Sequence, residues 1–399
     1  MIRIIPLLLF FYCCSSNEKE FVDMLSTNNP RTNRFLLQGS DALKQHNFIQ
    51  ALSFADSAAK YAVEKADIHF FKGRVYSELG RFKEAEQAYL KALEATPGYR
   101  GVWNNLGNNA YRQQNFSQAI DYYTHEVAQN KAPIPLRAVG RAFVELGKTD
   151  SARIFFKKAI DLNINYAAAY FNLAQLEEDE GNFKQAIQYA GRAYGIEPDN
   201  LEYRYLYSTL LVQMDKGSEA ILNLRKIVEK WPWHHGAHYN LGRALIRAGQ
   251  KTEGENYLEQ AEQVRATQAK IDHLENTVRA LPDDPYSYAA LAFALRKAGR
   301  YNDAMHSYKV ALYLEPENFD IWNNVANLYL LQGDTITALV TYNYIVEKNP
   351  MLTDIWLNMG VVYALSNQKE KARSAWEQVL TYKSNNISAL KYLKKLNGN

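Results

Sequence analysis

Residues 66–99 read ADIHFFKGRVYSELGRFKEAEQAYLKALEATPGY. The marks in this stretch are Gly73, Tyr76, Leu79-Gly80, Phe82, Ala85, Tyr89, Ala92 and Pro97. The next 34 residues place Trp103, Leu106, Gly107, Phe116, Ala119 and Tyr123 in the same frame. Counting outward gives ten copies, starting near Thr32, Ala66, Arg100, Pro133, Ala167, Leu201, His235, Pro285, Phe319 and Thr353. Position eight reads Gly39, Gly73, Gly107, Gly140, Ala174, Ser208, Gly242, Ala292, Ala326 and Gly360. Position twenty reads Ala51, Ala85, Ala119, Ala152, Ala186, Ala220, Gly254, Ala304, Ala338 and Ala372. Small residues at two fixed places in every copy mean close helix packing. Glycine inside a helix costs up to ~1 kcal/mol against alanine, so its repeated use there implies a packing return. A fixed period of this length marks a solenoid, in which each unit touches only its neighbours.

The pattern resembles the tetratricopeptide repeat, a helix-turn-helix unit of 34 residues. That resemblance implies an all-α, right-handed superhelical solenoid and a binding protein rather than an enzyme. Apolar residues at positions seven, eleven, twenty-four and twenty-seven carry helical spacing. Pro97, Pro198, Pro232, Pro316 and Pro350 close second helices, because proline cannot continue one. The 28 tyrosines and an apolar content of 47% suit a core with aromatic knobs in each repeat.

The frame divides the chain into repeats one to seven (32–266), a helical spacer (267–284), repeats eight to ten (285–386) and a capping helix (387–399). The spacer carries Ile271, Leu274, Val278 and Leu281 at helical spacing, which predicts a lengthened second helix or one extra helix. The repeat at Pro133 opens on Pro133 and Pro135, and Thr149 replaces its usual aromatic. The final helix, rich in Lys391, Lys394 and Lys395, is expected to give the stack a solvated end.

Residues 1–14, MIRIIPLLLFFYCC, have one cation and a short apolar stretch ending at Cys13 and Cys14, the only cysteines. The stretch is shorter than the ~20 residues a spanning helix needs. It resembles a bacterial lipoprotein signal (1–13), with Cys14 as the lipidated residue and 14–31 as a polar tether. The resemblance implies a cell-envelope lipoprotein, at the outer membrane because Ser15 is not an aspartate. With no further cysteine, the body of the chain has no internal disulfide.

A net charge of +3 lacks the basic excess of a nucleic-acid binder. Glycine-rich phosphate loops, HExxH and GxSxG are absent, and the repeats leave no room for a catalytic domain. Neither a cofactor nor a small-molecule substrate is expected. His234, His235 and His238 could be read as a zinc cluster, but no cysteine or carboxylate completes it and His238 falls where a packed aromatic belongs. The expectation there is packing, not metal.

In the family, positions two, five, nine and twelve of the first helices face the concave groove. Arg74, Asn108, Arg141, Gln175 and Arg243 hold position nine, Asn104 and Arg137 position five, and Arg112 position thirteen. These eight are the candidate partner-binding residues. Arginine can fork onto a carboxylate and asparagine can bond an extended backbone, so a protein or peptide partner of acidic character fits. Their charges could equally pair with Glu78, Glu145 and Glu178 on the same side. The rear groove is more apolar, with Phe293, Leu330, Val361 and Leu365. The function expected is a membrane-tethered scaffold for envelope assembly or secretion. A targeting subunit for an envelope hydrolase or protease and a saccharide-binding export component are the alternatives. Trp103, Trp322 and Trp356 sit at repeat core positions, which argues against sugar stacking.

Overall fold

The computed structural model describes residues 29–63 and 65–396. Among them stand 21 helices and no strand. The chain divides at Asp272/His273 into two compact units.

The first unit is a run of helix pairs. They are α1 (Pro30–Lys44) with α2 (Phe48–Ala59), α3 (Ala66–Glu78) with α4 (Phe82–Ala95), and α5 (Val102–Arg112) with α6 (Phe116–Gln129). Then come α7 (Pro133–Glu145) with α8 (Thr149–Leu162), α9 (Ala167–Asp179) with α10 (Phe183–Ile196), and α11 (Leu201–Gln213) with α12 (Gly217–Lys230). The helix α13 (His235–Arg247) precedes α14 (Lys251–Ala280), one continuous helix of 30 residues in which the division of the units falls.

Three successive pairs close on a glycine facing a ring. A Cβ on Gly73 would meet the Tyr89 ring at 2.5 Å, on Gly107 the Tyr123 ring at 2.5 Å, and on Gly140 the Phe156 ring at 2.5 Å. Position eight is therefore small chiefly to admit the aromatic at position twenty-four. Where that residue is Leu258, the two backbones close instead, and a Cβ on Gly242 would lie 2.7 Å from the Gly254 carbonyl oxygen. Full burial of such a side chain contributes roughly 1.5–3 kcal/mol.

Every repeat turns in the same way. Position fifteen has positive φ in all ten: His46, Gly80, Gln114, Gly147, Gly181, Asp215, Gly249, Gly299, Gly333 and Asn367. The next amide then reaches back to the carbonyl of position eleven, as from Arg81 to Tyr76 and from Asn115 to Ala110, both at 2.9 Å. This bond ends a helix by satisfying a carbonyl that has no partner within it.

The prolines also have a second role. Side chains at position four bind the carbonyl oxygen six residues earlier: Arg204 to Pro198 at 2.7 Å and His238 to Pro232 at 2.9 Å. Trp103 stands in the matching place but leaves its buried Nε1 without a partner. The turn before it differs, with Gly98 and Gly101 both at positive φ. There Tyr99 is buried and donates to the Asp67 carboxylate. The Glu126 carboxylate, from α6, takes the free amides of Gly101 at 3.2 Å and Asn104 at 3.3 Å at the start of α5.

Adjacent repeats are joined by bonds one period long. Arg112 donates to the Ser77 carbonyl at 2.6 Å, and Arg247 does the same to Val212 at 3.2 Å.

The second unit holds the end of α14, then α15 (Pro285–Lys297) with α16 (Tyr301–Leu314), α17 (Phe319–Leu331) with α18 (Thr335–Lys348), and α19 (Thr353–Leu365) with α20 (Lys369–Tyr382). It ends in α21 (Ile387–Leu396). Its core is built on Tyr342, Ile345, Val346, Ile355 and Met359. Trp322 and Trp356 donate to Pro316 and Pro350 at 2.8 and 2.9 Å, and a Cβ on Gly360 would strike Trp376. Among the described residues, no helix is long and apolar enough to cross a membrane.

Candidate partner-binding groove

Four of the eight candidate residues meet. Asn104 and Asn108 from α5, with Arg137 and Arg141 from α7, line a recess of about 190 Å³. Tyr111, Tyr123, Ile134, Ala138 and Tyr166 complete its wall. Ligand pockets for whole small molecules run roughly 300–1,000 Å³, so this recess has room for a side chain or a chain terminus.

Both arginines and two of the tyrosines are held by neighbours. Arg137 Nε donates to the Tyr166 hydroxyl at 2.9 Å, and Nη1 lies 3.4 Å from Asn172 Oδ1. Asn172 in turn donates to Gln175 Oε1 at 3.2 Å, so Gln175 supports the edge of the site rather than its floor. The Arg141 guanidinium lies 4.9 Å from the centre of the Tyr111 ring. The Tyr111 hydroxyl donates a hydrogen bond to Glu145 Oε1 at 2.7 Å. Burial pushes the Tyr111 hydroxyl well above its usual range, and Arg141 only partly offsets that, so it stays protonated. Tyr123 donates to Asn108 Oδ1 at 2.8 Å, which leaves the Asn108 amide group for other bonds. The Asn104 Oδ1 is buried and has no hydrogen-bond partner. An acceptor left so costs roughly 1–3 kcal/mol, which a donor arriving with a ligand would relieve.

One acidic group completes the electrostatics. Glu202, at position two of repeat six, is half-buried on α11. Burial raises its pKa, and the positive fields of Arg141 and Arg137 pull it back. Position two faces the groove in the family, but a lone carboxylate there carries no repeat signal that would mark Glu202. Of the recess tyrosines, Tyr123 holds core position twenty-four, Tyr111 holds position twelve, which faces the groove, and Tyr166 ends its repeat at position thirty-four.

Three expected residues lie elsewhere. Arg112 is committed to the Ser77 carbonyl, with its guanidinium 4.8 Å from the Phe82 ring centre. Position thirteen thus serves the junction between repeats, not the recess. The charge of Arg74 acts on the buried Tyr99 hydroxyl inside repeat two. Arg243 is exposed on α13, with its guanidinium 5.6 Å from the Tyr239 ring centre. Of the carboxylates weighed as their partners, Glu145 binds Tyr111 and Glu178 accepts from Gln213 at 3.3 Å. Cys14 and the signal stretch lie outside the described residues.

The histidines have packing duties. His234 caps α13, its Nδ1 accepting from the Ala237 amide at 3.1 Å. Its ring lies 4.3 Å from Tyr205 and 5.9 Å from Trp231. His238 is buried against the Pro232 carbonyl. In the second unit, Phe293 lies under Lys297 and Arg296, at 4.8 and 5.1 Å. Leu365 is exposed on α19, and Leu330 and Val361 are half-buried.

Comparison with known proteins gives the same repeat. Tetratricopeptide-repeat models match residues 36–100, 104–167, 137–200 and 293–333, together about half of the chain. A model for subunit 3 of the anaphase-promoting complex, cyclosome, matches 179–261. Human protein O-mannosyl-transferase TMTC3 is 24% identical over 248 residues, 58% of this chain and 26% of that protein. The chain thus spans about a quarter of the length of that relative. The TPR repeat-containing protein YpiA of Bacillus subtilis is 20% identical over 317 residues, 79% of this chain and 70% of YpiA. Among solved structures, Pseudomonas aeruginosa PilF aligns at 20% identity and a TM-score of 0.45, covering 55% of this chain and 96% of PilF. A tetratricopeptide repeat protein from Parabacteroides merdae aligns at 15% identity and a TM-score of 0.45, covering 59% of this chain and 94% of the other.

Proposed function

Because this chain belongs to the tetratricopeptide-repeat family, whose members are scaffolds that bind protein partners, we propose that it is a non-catalytic adaptor seating an acidic segment of a partner protein between α5 and α7. The observation that carries this is the convergence of Arg137, Arg141, Asn104 and Asn108 on one recess. The arginines offer charged donors to a carboxylate, and the unpartnered Asn104 Oδ1 offers an acceptor to a peptide N–H. The Ile134 and Ala138 wall takes the aliphatic part of the same residue. A carboxylate and an amide a few bonds apart are what a peptide supplies. The adaptor works at the outer membrane of a bacterial envelope, tethered through Cys14 in the course of assembly or secretion. What supports that placement is the sequence of residues 1–14.

The test is crosslinked capture from the envelope, with the native chain beside Arg137→Glu/Arg141→Glu. Partners lost only from the variant, while its helical content is unchanged, support the recess. Partners captured equally by both chains refute it.

A further inference from the structure

The last helix has two faces, and only one is used by the fold. Ala389, Tyr392, Leu393 and Leu396 pack with Trp376, Ala372 and Val379 of α20. The Trp376 and Tyr392 rings lie 5.1 Å apart. This fixes the rotation of α21 about its own axis. Ile387, Leu390, Lys391 and Lys394 follow the spacing i, i+3, i+4, i+7, which puts them on one stripe. That stripe is turned outward: Ile387 is 81% and Leu390 48% exposed, and both lysines are exposed. Lys383, just after α20, and Lys395 on α21 are also exposed. From 378 to 396 the sequence has four lysines and no acidic residue. Among the described residues none of these lysines forms an ion pair within the fold; the nearest acidic residue along α20 is Glu377.

We propose that this face of α21 docks on an anionic bilayer surface, with Ile387 and Leu390 entering the headgroup layer and the lysines meeting lipid phosphates. The proposal is independent of the recess and of Cys14. A bilayer suits the face better than a protein does. Lysine is depleted from the cores of protein–protein interfaces, and one convex helix stripe supplies neither a pocket nor the ~1,000 Å² of a specific interface. Two aliphatic tips among lysines, by contrast, match the headgroup boundary, where long lysine stems leave the charge in the polar layer. Each surface lysine strengthens partitioning onto an anionic bilayer by roughly fivefold. The solvated end expected from the lysines alone therefore becomes a surface with a partner, because the exposed Ile387 and Leu390 share it.

The experiment is flotation of the full chain with vesicles of phosphatidylcholine alone, or with about a third phosphatidylglycerol. Three chains are compared: native, Lys391→Glu/Lys394→Glu and Ile387→Ser/Leu390→Ser. Any N-terminal insertion acts on both vesicle types and cancels in the ratio. The expected result is a native ratio above about 25-fold in favour of the anionic vesicles, since two lysines alone supply that much. The lysine variant should lose at least 25-fold of it, on the same per-lysine scale. The aliphatic variant should bind more weakly and become easier to strip with salt. Retention of helical content by all three excludes misfolding, since every altered side chain is exposed. Equal partitioning on the two vesicle types overturns the proposal, as does a lysine variant that keeps the native ratio. Tighter binding to soluble polyglutamate than to the anionic vesicles would also overturn it, in favour of an acidic protein.

Discussion

Lowering the pH should loosen repeat seven first, and the reason is His234. Its Nδ1 must be unprotonated to accept the Ala237 amide, and its ring is enclosed by Tyr205 and Trp231. Burial lowers its pKa from 6.5 to about 4, and the nearby His235 and His238 push the same way. The group is therefore neutral in the fold and charged in the opened chain once the pH drops below 6.5. Stability is lost as pH falls between these two values. A shift of this size corresponds to at most about 3 kcal/mol, of which about 2 kcal/mol is lost by a pH near 5. A loss of about 2 kcal/mol means roughly thirtyfold more frequent opening. Because each repeat contacts only its neighbours, the loss should stay local. The assay is amide hydrogen exchange, as protection factors for α13 against α9, from about pH 7.5 to about pH 5. His234→Asn keeps an N-cap acceptor without the titration. Its acid-induced loss should shrink to the smaller part owed to His238, whose pKa burial also lowers. If the variant opens as steeply as the native chain, His234 is not the responsible group and the reasoning fails.

Other outcomes follow from the same geometry. Gln114→Gly should raise stability by about 0.5–1 kcal/mol in thermal unfolding, since Gln114 holds a left-handed backbone that glycine adopts without strain. Gly107→Ala should lower stability by about 1–3 kcal/mol, despite alanine's better helix propensity, because its Cβ would lie 2.5 Å from the buried Tyr123 ring. Unchanged unfolding would show that the ring can move aside. Cys14→Ala should abolish incorporation of labelled fatty acid and release the chain from the membrane fraction at high salt, where α21 is screened.

The sequence was legible wherever one residue type meets one need in every copy. Small residues at position eight announce the packing: at the glycines there, an added Cβ meets a ring or a backbone. The turn was only partly legible: position fifteen is left-handed in all ten repeats, but His46, Gln114, Asp215 and Asn367 hide the rule. For the groove, side-chain reach decided the outcome. Arg137 and Arg141 point into the recess, whereas Arg112, at a position offset by four or more along its helix, reaches a carbonyl one repeat away. Which of two acceptors a long side chain will find is not written in the repeat pattern. Neither is the company of Ile387 and Leu390 on the outer stripe of α21, which depends on how Tyr392 seats against Trp376.

The bonds of one period's length have a mechanical consequence. Arg112 to Ser77 and Arg247 to Val212 each cross a single junction, and each spans 35 residues. A load drawn along the chain would meet such latches in series, so the weakest would yield while the others held. Each yielding repeat would release about 110–120 Å of slack, from 34 residues at ~3.3–3.6 Å apiece. A chain pulled from its ends would thus lengthen in steps of similar size, with a longer one at repeat seven, whose second helix runs on to Ala280, and the protein would behave as a shock absorber.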